Sequence, residues 1–370
     1  MRLLFINLNR SPAYGGIERW MLDVAHGLEA RGHETVLVGR PKAPWMAVAT
    51  RMGLRVRDDH RGPWITRVLR VRAAMRAERP DVVIVKAAKA ARMAVWGRAL
   101  GGGSRVAMIF GLTHEMRRGR WIHHYTWRRI DAGIVLAHGA ARWYVDEGFG
   151  PLEKLPVLWK GVDLARFDAA QTRRDEVRAE LGLTPDTLAI GTVGRITWQK
   201  GLEDLMDALA LARERLPRAR VFIAGGGRDA ALVEEAVARL GGLVTLLGQR
   251  NDIPAVLAAL DLVVVPSRRE VMSQATLEAM AAGRAVLSTA TVGADEAIED
   301  GTSGVLVPVG DRQAIADGLV ALAHDPERRA ALGAAARHRI AEQFTVEHML
   351  DRCEDIFARV AAQSPLARER

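Results

Sequence analysis

The sequence predicts an α/β protein of two domains, each built on a parallel sheet that is covered by helices on both faces. The chain has 370 residues, which exceeds the roughly 250 to 300 residues at which a single hydrophobic core usually stops growing. Short apolar runs alternate with stretches of helical length along both halves, as parallel strands joined by crossover helices require. The runs are continuously apolar rather than alternating, which indicates strands buried on both faces.

The first half contains five apolar runs that predict strands. The chain opens with a strand, a helix over residues 16–29 and a second strand, and Gly32 marks the end of that helix. A basic stretch over residues 64–79 predicts an amphipathic crossover helix before the third strand. The predicted strands cover residues 2–8, 34–38, 81–85, 105–110 and 132–136.

The second half repeats this pattern with six apolar runs. Residues 202–212 and 274–282 have helix-forming composition and follow the first and the fourth of these runs. The order is that of a second parallel sheet with crossover helices. The predicted strands cover residues 188–193, 221–224, 244–247, 262–265, 285–288 and 304–307.

The predicted boundary between the domains lies close to a turn. The turn at residues 160–163 precedes a polar helix predicted over residues 172–181. We therefore expect a first domain over residues 1–165 and a second over residues 166–345. The last helical stretch, residues 346–370, is expected to pack back on the first domain.

Composition indicates a globular protein of the cytoplasm. Apolar residues make up 49% and charged residues 26% of the chain, which fits two packed cores and argues against disorder. No run reaches the roughly 18 to 20 uncharged apolar residues of a membrane-spanning helix. Residues 1–7 resemble a short strand rather than a basic leader with an apolar core, so secretion is not expected. The single cysteine, Cys353, is interpreted as a structural thiol in a reducing compartment.

Charge is distributed unevenly between the halves. Residues 1–160 hold 28 Lys and Arg against 13 Asp and Glu, a net charge of +15, whereas the remainder holds 25 against 31, a net charge of −6. Eight of the nine tryptophans also lie in the first 160 residues. A basic, Trp-rich half suits an anionic membrane surface, an anionic acceptor or a nucleic acid. An excess of solvated arginine is the simpler alternative.

The run Arg117–Arg129 interleaves cations with aromatic residues. This pattern suits an interface with lipid or nucleic acid. A helix that buries its aromatic face and leaves its arginines in water has the same pattern. The run therefore marks a candidate interface and leaves its partner open.

Two glutamates follow the strand predicted at residues 262–265. Glu270 falls in the loop beyond the strand and Glu278 in the next helix, so both can flank one ligand at the sheet edge where open parallel sheets bind ligands. Carboxylates suit a sugar because their oxygens accept hydrogen bonds from hydroxyl groups. Backbone amides at residues 272–274, where the helix starts, suit a phosphate. Two glutamates at this spacing are also common on solvated helices.

Two cations, Arg195 and Lys200, follow the strand predicted at residues 188–193. Through the loop that Gly194 opens, both side chains can converge on a diphosphate and neutralise the charge that grows on a leaving nucleoside diphosphate. An ordinary basic turn before a helix is the alternative. The run Gly225-Gly226-Gly227 follows the next strand and permits a nucleotide to approach the backbone, although such runs are often only turns.

In the first half, Gly15 and Gly16 lie between a strand and a helix whose first turn carries Glu18. Glycine there permits close approach of a phosphate or a sugar to the helix N-terminus. The pair is not a GxGxxG fingerprint, so NAD is not indicated. His114 follows the strand at residues 105–110, in a loop of the kind that collects ligand-binding groups. No spacing of His, Cys, Asp and Glu resembles a metal site, so we expect neither a metal nor a cofactor.

Taken in order, these motifs resemble those of the GT-B glycosyltransferases, specifically the retaining family 4, over nearly the whole chain. The matching pieces are Gly15-Gly16-Ile17-Glu18, Arg31-Gly32-His33-Glu34, Lys160-Gly161-Val162-Asp163, Gly194-Arg195 to Lys200-Gly201, Ala224-Gly225-Gly226-Gly227, Pro266-Ser267 to Glu270, and Glu278-Ala279-Met280-Ala281-Ala282-Gly283. The resemblance implies the α/β GT-B fold, with two Rossmann-like domains facing each other across a cleft. The sequence departs from the usual pattern at Lys160, Val271 and Arg284, where the family usually has Asn, Gly and Pro.

The resemblance also implies a role for each motif. Arg195 and Lys200 would hold the diphosphate, and His114 would approach the transferred sugar from the acceptor domain. Glu278 would bind the ribose hydroxyls and Glu270 would meet the donor sugar. The expected catalytic residues are Glu270, Arg195, Lys200 and His114. The expected donor-binding residues are Gly16, Gly194, Gly226, Met272, Ser273, Gln274 and Glu278.

The implied activity is transfer of a sugar with retention of configuration, without a metal, from a nucleotide-sugar, with a UDP-sugar favoured. The acceptor would be a hydroxyl of a glycan or of a lipid-linked molecule in cell-envelope polysaccharide or lipopolysaccharide synthesis. We expect a cytoplasmic protein in peripheral contact with the inner face of the membrane through its basic half. Two alternatives stay open: a nucleotide-sugar 2-epimerase of the same fold, and a basic nucleic-acid-binding protein that would use residues 117–129.

Overall fold

The protein forms two compact α/β units. The structure, a computed structural model, describes residues 1–8, 16–40, 42–58, 62–109 and 120–362. Unit 1 comprises Met1–Trp159 and Glu347–Arg370, and unit 2 comprises Lys160–Val346.

Six strands form the sheet of unit 1: β1 (Arg2–Asn7), β2 (Glu34–Val38), β3 (Arg55–Arg57), β4 (Val82–Lys86), β5 (Arg105–Ile109) and β6 (Ala132–Ile134). They pair in parallel in the order β3-β2-β1-β4-β5-β6. This is a Rossmann-like order, in which the direction of winding reverses between β1 and β4. The five predicted strands are confirmed. The short strand β3 was not predicted, because two of its three residues are arginine.

Helices connect these strands. The predicted amphipathic helix before β4 is confirmed as α3, which buries Val68, Val71 and Met75. A π-helical turn, Arg98–Gly102, continues α4. The helices of this part of unit 1 are α1 (Gly16–Ala30), α2 (Pro44–Arg51), α3 (Trp64–Glu78), α4 (Ala87–Gly97), α5 (Arg120–Arg129) and α6 (His138–Asp146), with a 3-10 turn at Leu152–Lys154.

The sheet of unit 2 is built in the same way from β7 (Leu188–Val193), β8 (Ala219–Ala224), β9 (Val244–Gly248), β10 (Leu262–Val265), β11 (Ala285–Thr289) and β12 (Val305–Val307). All six predicted strands are confirmed. They pair in parallel in the order β12-β11-β10-β7-β8-β9. Counted from its own first strand, this sheet has the order of the first one, and its reversal lies between β7 and β10.

The helices of unit 2 are α7 (Leu164–Gln171), α8 (Arg174–Glu180), α9 (Leu202–Ala212), α10 (Ala230–Leu240), α11 (Ile253–Ala259), α12 (Gln274–Ala281), α13 (Ala294–Ala297), α14 (Arg312–His324) and α15 (Pro326–Gln343). Short 3-10 turns lie at Trp198–Lys200, Arg213–Arg215 and Gly241–Leu243. The core packs these helices on the sheet, with Ile190, Leu205 and Leu209 fully buried. Within the described ranges of both units, no helix has the length and apolarity needed to cross a membrane.

The polar helix predicted over residues 172–181 is confirmed as α8. A further helix that was not predicted, α7, begins directly after the turn. The cause is the Asp163 carboxylate, which accepts a hydrogen bond from the Ala165 amide at 3.0 Å and so caps the first turn of α7.

Unit 2 begins and ends at one place. The Val162 amide donates to the Phe344 carbonyl at 2.8 Å, and the Val346 amide donates to the Val162 carbonyl at 3.2 Å. Only glycine fits at position 161, because a Cβ there would lie 2.6 Å from the Thr345 carbonyl oxygen. The two ends of unit 2 therefore lie side by side.

The last helix, α16 (Val346–Ala362), belongs with unit 1 from Glu347 onward. It packs closely on α1, since a Cβ on Gly27 would lie 2.5 Å from Leu350 Cδ1. Burial raises the pKa of the Cys353 thiol on this face. The buried side chains of α16 are Met349, Leu350, Cys353, Ile356, Phe357 and Val360.

Ion pairs fix α16 to the turn between α1 and β2. Arg31 Nη1 lies 2.7 Å from an Asp351 oxygen and 2.6 Å from a Glu354 oxygen. His33 Nε2 lies 2.7 Å from the other Glu354 oxygen. The hydrogen bond from His33, and then the Arg31 guanidinium, hold the pKa of Glu354 below its ordinary value against the effect of burial. The Arg31-Gly32-His33 motif thus serves to dock the last helix.

We expect Glu354→Gln to lower the free energy of unfolding of unit 1 by about 1–2 kcal/mol at neutral pH, because it removes a charged partner of Arg31 and His33. The pKa of Glu354 is lowered by folding, so the stability that it adds is present above its ordinary pKa of about 4.3 and is lost as the pH falls below it. Urea denaturation across this pH range measures the difference. Equal stability of the variant and the wild type at pH 7 would contradict the assignment.

Candidate functional site

The carboxyl edge of the unit 2 sheet brings several predicted site residues together. β7 and β10 are neighbours at the reversal of this sheet, where open α/β sheets bind ligands. We call residues 194–201 the β7 loop and residues 266–273 the β10 loop. They line one pocket together with the ends of β7 and β8. The loop residues in its wall are Gly194, Arg195, Lys200, Pro266 and Ser267.

The backbones of the two loops are joined directly. The amides of Arg268 and Arg269 both donate to the Gln199 carbonyl, at 2.9 and 3.2 Å. Gly201 has a φ of 64°, and a Cβ there would lie 2.0 Å from the Pro266 carbonyl oxygen. Only glycine permits both this conformation and this approach.

A buried ion pair holds the β10 loop to the start of α9. Arg268 binds Asp204 through Nε at 2.6 Å and Nη2 at 2.8 Å, and its Nη1 lies 2.8 Å from Glu203. The Asp204 side chain is only 4% exposed. Burial alone would raise the pKa of Asp204, but the bonds from Arg268 and a second arginine, Arg312, lower it below its ordinary value. This bidentate pair fixes the orientation of the β10 loop.

Lys200 and Glu270 meet in the pocket region. Lys200 Nζ lies 2.5 Å from Glu270 Oε2, and each side chain is 19% exposed. Ser267 Oγ donates to the same carboxylate oxygen at 3.3 Å. Arg195 is exposed on the pocket wall, and its guanidinium has no partner among the residues that the structure describes.

The glycine run after β8 packs against the β7 loop. A Cβ on Gly225 would lie 1.7 Å from the Gly194 carbonyl oxygen, and one on Gly227 would lie 2.0 Å from the Ile196 carbonyl oxygen. Gly226 differs, since a Cβ there would have no atom within 4 Å. Two of the three glycines are therefore needed for packing, and the middle one faces open space.

The start of α12 presents backbone amides at the same edge. Ser273 caps the helix by accepting a hydrogen bond from the Thr276 amide at 3.3 Å. The amides of Met272, Ser273 and Gln274 donate to no acceptor within the described part of the chain. The Met272 side chain is buried, so this residue offers its backbone only. Glu278 lies half-buried on the same helix.

The structure adds Lys160 to this cluster. Lys160 Nζ donates to the Met272 carbonyl at 2.8 Å and so ties the β10 loop to the first residue of unit 2. Burial lowers the pKa of Lys160; the Lys200 ammonium acts in the same direction, and the carboxylates of Glu270 and Glu278 act against it. The sequence showed only that a lysine stands where asparagine is usual, and no pattern connects two positions 112 residues apart.

In unit 1, the equivalent sheet edge carries a buried polar group. Glu18 of α1 pairs with Lys86 at the end of β4, and Asn7 at the end of β1 donates to Glu18 at 3.2 Å. Burial alone would raise the pKa of Glu18, but Lys86 lowers it below its ordinary value. Gly16 is the first residue of α1, with space around its Cα. Gly15 and His114 lie outside the described residues.

Two departures from the family pattern are also placed by the structure. The Arg284 guanidinium donates to the carbonyls of Ala282 and Leu260, at 2.9 and 3.1 Å. Burial lowers the pKa of Arg284 to about 10. Arg284 therefore serves the packing of α11 and α12, whereas Val271 lies half-buried in the β10 loop beside Glu270. Across the described ranges, no group of three or more His, Cys, Asp or Glu side chains could hold a metal ion.

Comparison with known proteins gives two family matches. The family described as "Glycosyl transferases group 1" matches residues 187–325, and the family described as "Glycosyltransferase Family 4" matches residues 14–166. Together these matches span most of the chain.

Curated relatives cover a similar extent. The chain is 25% identical over 344 residues to the lipopolysaccharide core biosynthesis glycosyltransferase LpsE of Rhizobium meliloti, which covers 91% of this chain and 94% of that protein. It is 28% identical over 254 residues to the lipopolysaccharide core biosynthesis mannosyltransferase LpsB of the same organism, over 66% of this chain and 69% of that protein.

Solved structures share the fold. The structure of Anabaena HepE in complex with UDP-glucose has a TM-score of 0.84 at 21% identity, over 97% of this chain and 100% of that one. WaaG, a glycosyltransferase involved in lipopolysaccharide biosynthesis, has a TM-score of 0.74 at 18% identity, over 96% of this chain and 99% of that one.

The contact at Gly201 predicts a stability difference between two glycine substitutions. Gly201 and Gly182 have nearly the same φ, 64° and 66°, but only Gly201 lacks space for a Cβ. We expect Gly182→Ala to cost about 1–2 kcal/mol for its left-handed backbone. Gly201→Ala should cost about 1–3 kcal/mol more, because the loops must separate. Urea denaturation measures both, and equal losses would mean that the loop contact is unimportant.

The bond from Lys160 predicts a local change in the β10 loop. We expect Lys160→Met to speed hydrogen exchange at the amides of Arg268 and Arg269 at least several-fold, because the loop loses its tie at Met272. Lys154→Met is the matched control, since Lys154 also donates to a main-chain carbonyl, that of Trp127 at 2.9 Å, but in unit 1. Unchanged exchange in Lys160→Met, measured by mass spectrometry, would show that the tie does not order the loop.

Proposed function

Because this chain belongs to the group 1, family 4 glycosyltransferases of the GT-B fold, we propose that it transfers a sugar from a nucleoside-diphosphate-sugar to a hydroxyl group with retention of configuration. The observation that carries this proposal is the Lys200–Glu270 pair beside Arg195, at the reversal of the unit 2 sheet. It joins cations suited to a diphosphate with a carboxylate suited to a sugar.

The diphosphate would bind at the β7 loop. The Arg195 guanidinium is exposed on the pocket wall, and the Lys200 ammonium has three N–H donors, so one can hold Glu270 while another meets a phosphate oxygen. Gly194 and Gly226 permit close approach to the backbone. The amides of Met272, Ser273 and Gln274 at the start of α12 add donors aimed by the helix dipole.

The sugar and the ribose would contact the carboxylates. Glu270 is held by Lys200 and Ser267, which leaves its other oxygen to accept a hydrogen bond from a sugar hydroxyl. Glu278, on α12, would accept hydrogen bonds from the ribose hydroxyls. Val271 and the Lys160 tie shape the loop around Glu270, so we propose that they help to select the sugar.

In the reaction, the acceptor oxygen attacks the anomeric carbon on the face from which the diphosphate departs. The bond from this carbon to the phosphate oxygen breaks as the bond to the acceptor oxygen forms, and negative charge grows on the leaving diphosphate, which takes up the proton of the acceptor hydroxyl. Arg195 and Lys200 would stabilise this charge, the role that fixed cations play in phosphate-releasing sites. No step of the proposal needs a metal. His114, which lies outside the described residues, is proposed to approach the sugar from unit 1.

A UDP-sugar is the favoured donor. The structural neighbour HepE has been solved with UDP and with UDP-glucose, which supports uridine for the same fold. A relative from Corynebacterium glutamicum, 30% identical over 218 residues, is named a GDP-mannose-dependent mannosyltransferase. GDP is therefore the nucleotide to compare with UDP in a binding experiment.

The acceptor is proposed to be a glycan or a lipid-linked molecule of the cell envelope, bound by unit 1 near Gly16. The relatives LpsE and LpsB are named for lipopolysaccharide core biosynthesis, and the basic, Trp-rich composition of residues 1–160 suits an acceptor presented at an anionic membrane. We propose that the protein works in the cytoplasm, at the inner face of the cell membrane.

Ligand-induced stabilisation tests the donor site. We expect UDP to raise the melting temperature more than GDP or ADP, since a ligand that binds only the folded state stabilises it. Lys200→Ala should reduce this shift and lower turnover of the donor roughly 100- to 1,000-fold, because a fixed charge on the leaving group is lost. Differential scanning fluorimetry and release of UDP measure the two effects. Normal turnover in Lys200→Ala would overturn the proposal.

One control variant and two further readouts complete the test. Arg228→Ala removes a cation of the neighbouring glycine loop whose side chain is 75% exposed, and it should leave both readouts unchanged. A nucleic-acid-binding protein would be stabilised by oligonucleotides rather than by UDP. A 2-epimerase would convert the UDP-sugar with no acceptor present.

A further inference from the structure

Large apolar side chains are exposed together on one part of unit 1. Of the ten that are exposed within the described ranges, five lie in residues 64–100. Trp64, Ile65 and Leu69 of α3 are 48%, 66% and 46% exposed, and Trp96 of α4 and Leu100 of the π-helical turn are 39% and 49% exposed. We call these five residues the α3–α4 patch. Such a concentration is typical of a binding surface, whereas single exposed hydrophobic residues are common.

Direct contacts connect the elements that carry the patch. The Trp64 and Trp96 rings meet edge to face with centroids 6.3 Å apart, and Trp96 stacks on Tyr125 of α5 at 6.1 Å. Arg72 Nε donates to the Leu100 carbonyl at 2.7 Å, which ties α3 to the π-helical turn. The side chains therefore belong to one surface.

The exposed apolar residues of α3 lie outside the face that packs into the core. The core face consists of Val68, Val71, Ala74 and Met75. Ile65 and Leu69 are four positions apart and lie on another face, which continues through Arg72 and Arg76 at the helical spacing of three and four. Since packing within unit 1 is already provided by the core face, Ile65 and Leu69 are available to a partner.

The helices that carry the patch are strongly basic. The one acidic residue of α3, Glu78, pairs with Arg55 and Arg57 at 3.1 and 2.6 Å, and α4 contains no acidic residue. The exposed Arg129 guanidinium lies 3.7 Å above the ring of Tyr125, next to Trp96. The other cations of these two helices are Arg67, Arg70, Arg72, Arg76, Lys89 and Arg92.

We propose that the α3–α4 patch docks unit 1 onto an anionic lipid bilayer. Tryptophan suits the boundary between headgroups and acyl chains, the aliphatic side chains of Ile65, Leu69 and Leu100 suit the acyl region, and the surrounding arginines suit anionic headgroups. A single-stranded nucleic acid stacks its bases on aromatic side chains. Ile65, Leu69 and Leu100 are aliphatic and offer no such ring. A second copy would bring two positive surfaces together.

The inference rests on the membrane contact of the proposed function and assigns it to particular residues. An acceptor with a lipid tail would then be presented to unit 1 at the surface that holds the enzyme. The α3–α4 patch lies on elements that contribute no residue to the donor pocket, so docking and donor binding can be tested separately.

Flotation with vesicles tests the proposal. The wild-type protein should bind vesicles of phosphatidylcholine mixed with phosphatidylglycerol, bind phosphatidylcholine alone at least tenfold more weakly, and be released at about 1 M salt, where the Debye length is about 3 Å. Leu69→Glu and Arg76→Glu should each weaken binding to the mixed vesicles at least about tenfold, because one removes apolar contact and the other reverses a charge.

Matched controls lie on unit 2. Leu211→Glu changes a leucine of α9 that is 54% exposed, and Arg239→Glu changes an exposed arginine of α10; both should bind vesicles as the wild type does. The UDP-induced shift in melting temperature should be the same in all four variants, which shows that they are folded.

Three results would overturn the docking surface. They are no binding of the wild type to the mixed vesicles at low salt, equal binding of Leu69→Glu and the wild type, and a change of oligomeric mass in Leu69→Glu without a change in vesicle binding. Failure of the proposed function would give a different result: the wild-type protein would bind the vesicles, but UDP would not raise its melting temperature.

Discussion

The close approach of the β7 loop to the β10 loop is the constraint on which the pairing of Lys200 with Glu270 depends. It is set by the missing side chain at Gly201, against the Pro266 carbonyl, and by two amides that share the Gln199 carbonyl. Lys200 and Glu270 follow two neighbouring strands whose paired residues, such as Ile190 and Leu262, are 72 positions apart in the sequence. Without the approach of the loops, the two side chains would remain apart. With it, a cation and a carboxylate share one pocket edge.

Each unit also holds a buried ion pair at its sheet edge, and both pairs carry a considerable desolvation cost. Asp204 and Glu18 are both buried, and in each case burial acts to raise the pKa while a cation outweighs it. A buried pair of this kind adds little net stability compared with apolar residues of the same size. What the pair provides is a fixed orientation of its two side chains. Removing either partner would leave an uncompensated buried charge. In unit 2 the Arg268–Asp204 pair fixes the β10 loop, and in the proposed reaction a loop fixed in this way would need no reorganisation.

The sequence predicts the strands better than it predicts the site. Long apolar runs such as Leu262–Val265 identify a buried parallel strand, and the polar residues that follow it then fall at the carboxyl edge. Lys200 and Glu270 could be placed in this way, each from its own strand. The contacts of Lys160 with Met272 and of Arg268 with Asp204 could not be predicted, because the partners lie 112 and 64 residues apart and local periodicity carries no information on contacts between distant residues. Strand β3 was missed for another reason: at a sheet edge with partly exposed side chains, burial does not require an apolar run.

The adjacent ends of unit 2 have a consequence for how such proteins diversify. Residues 160–346 leave and rejoin the rest of the chain at a single pair of backbone bonds, between Val162 and the Phe344–Val346 segment. A segment with neighbouring termini can be replaced as a cassette, since the host needs to match only the two crossing points. Recombination at Gly161 and Thr345 would exchange nearly all of unit 2 and would leave Lys160, which binds the Met272 carbonyl, on the host side of the joint. A host that carries lysine at position 160 and one that carries asparagine would therefore hold the β10 loop of the same inserted segment differently.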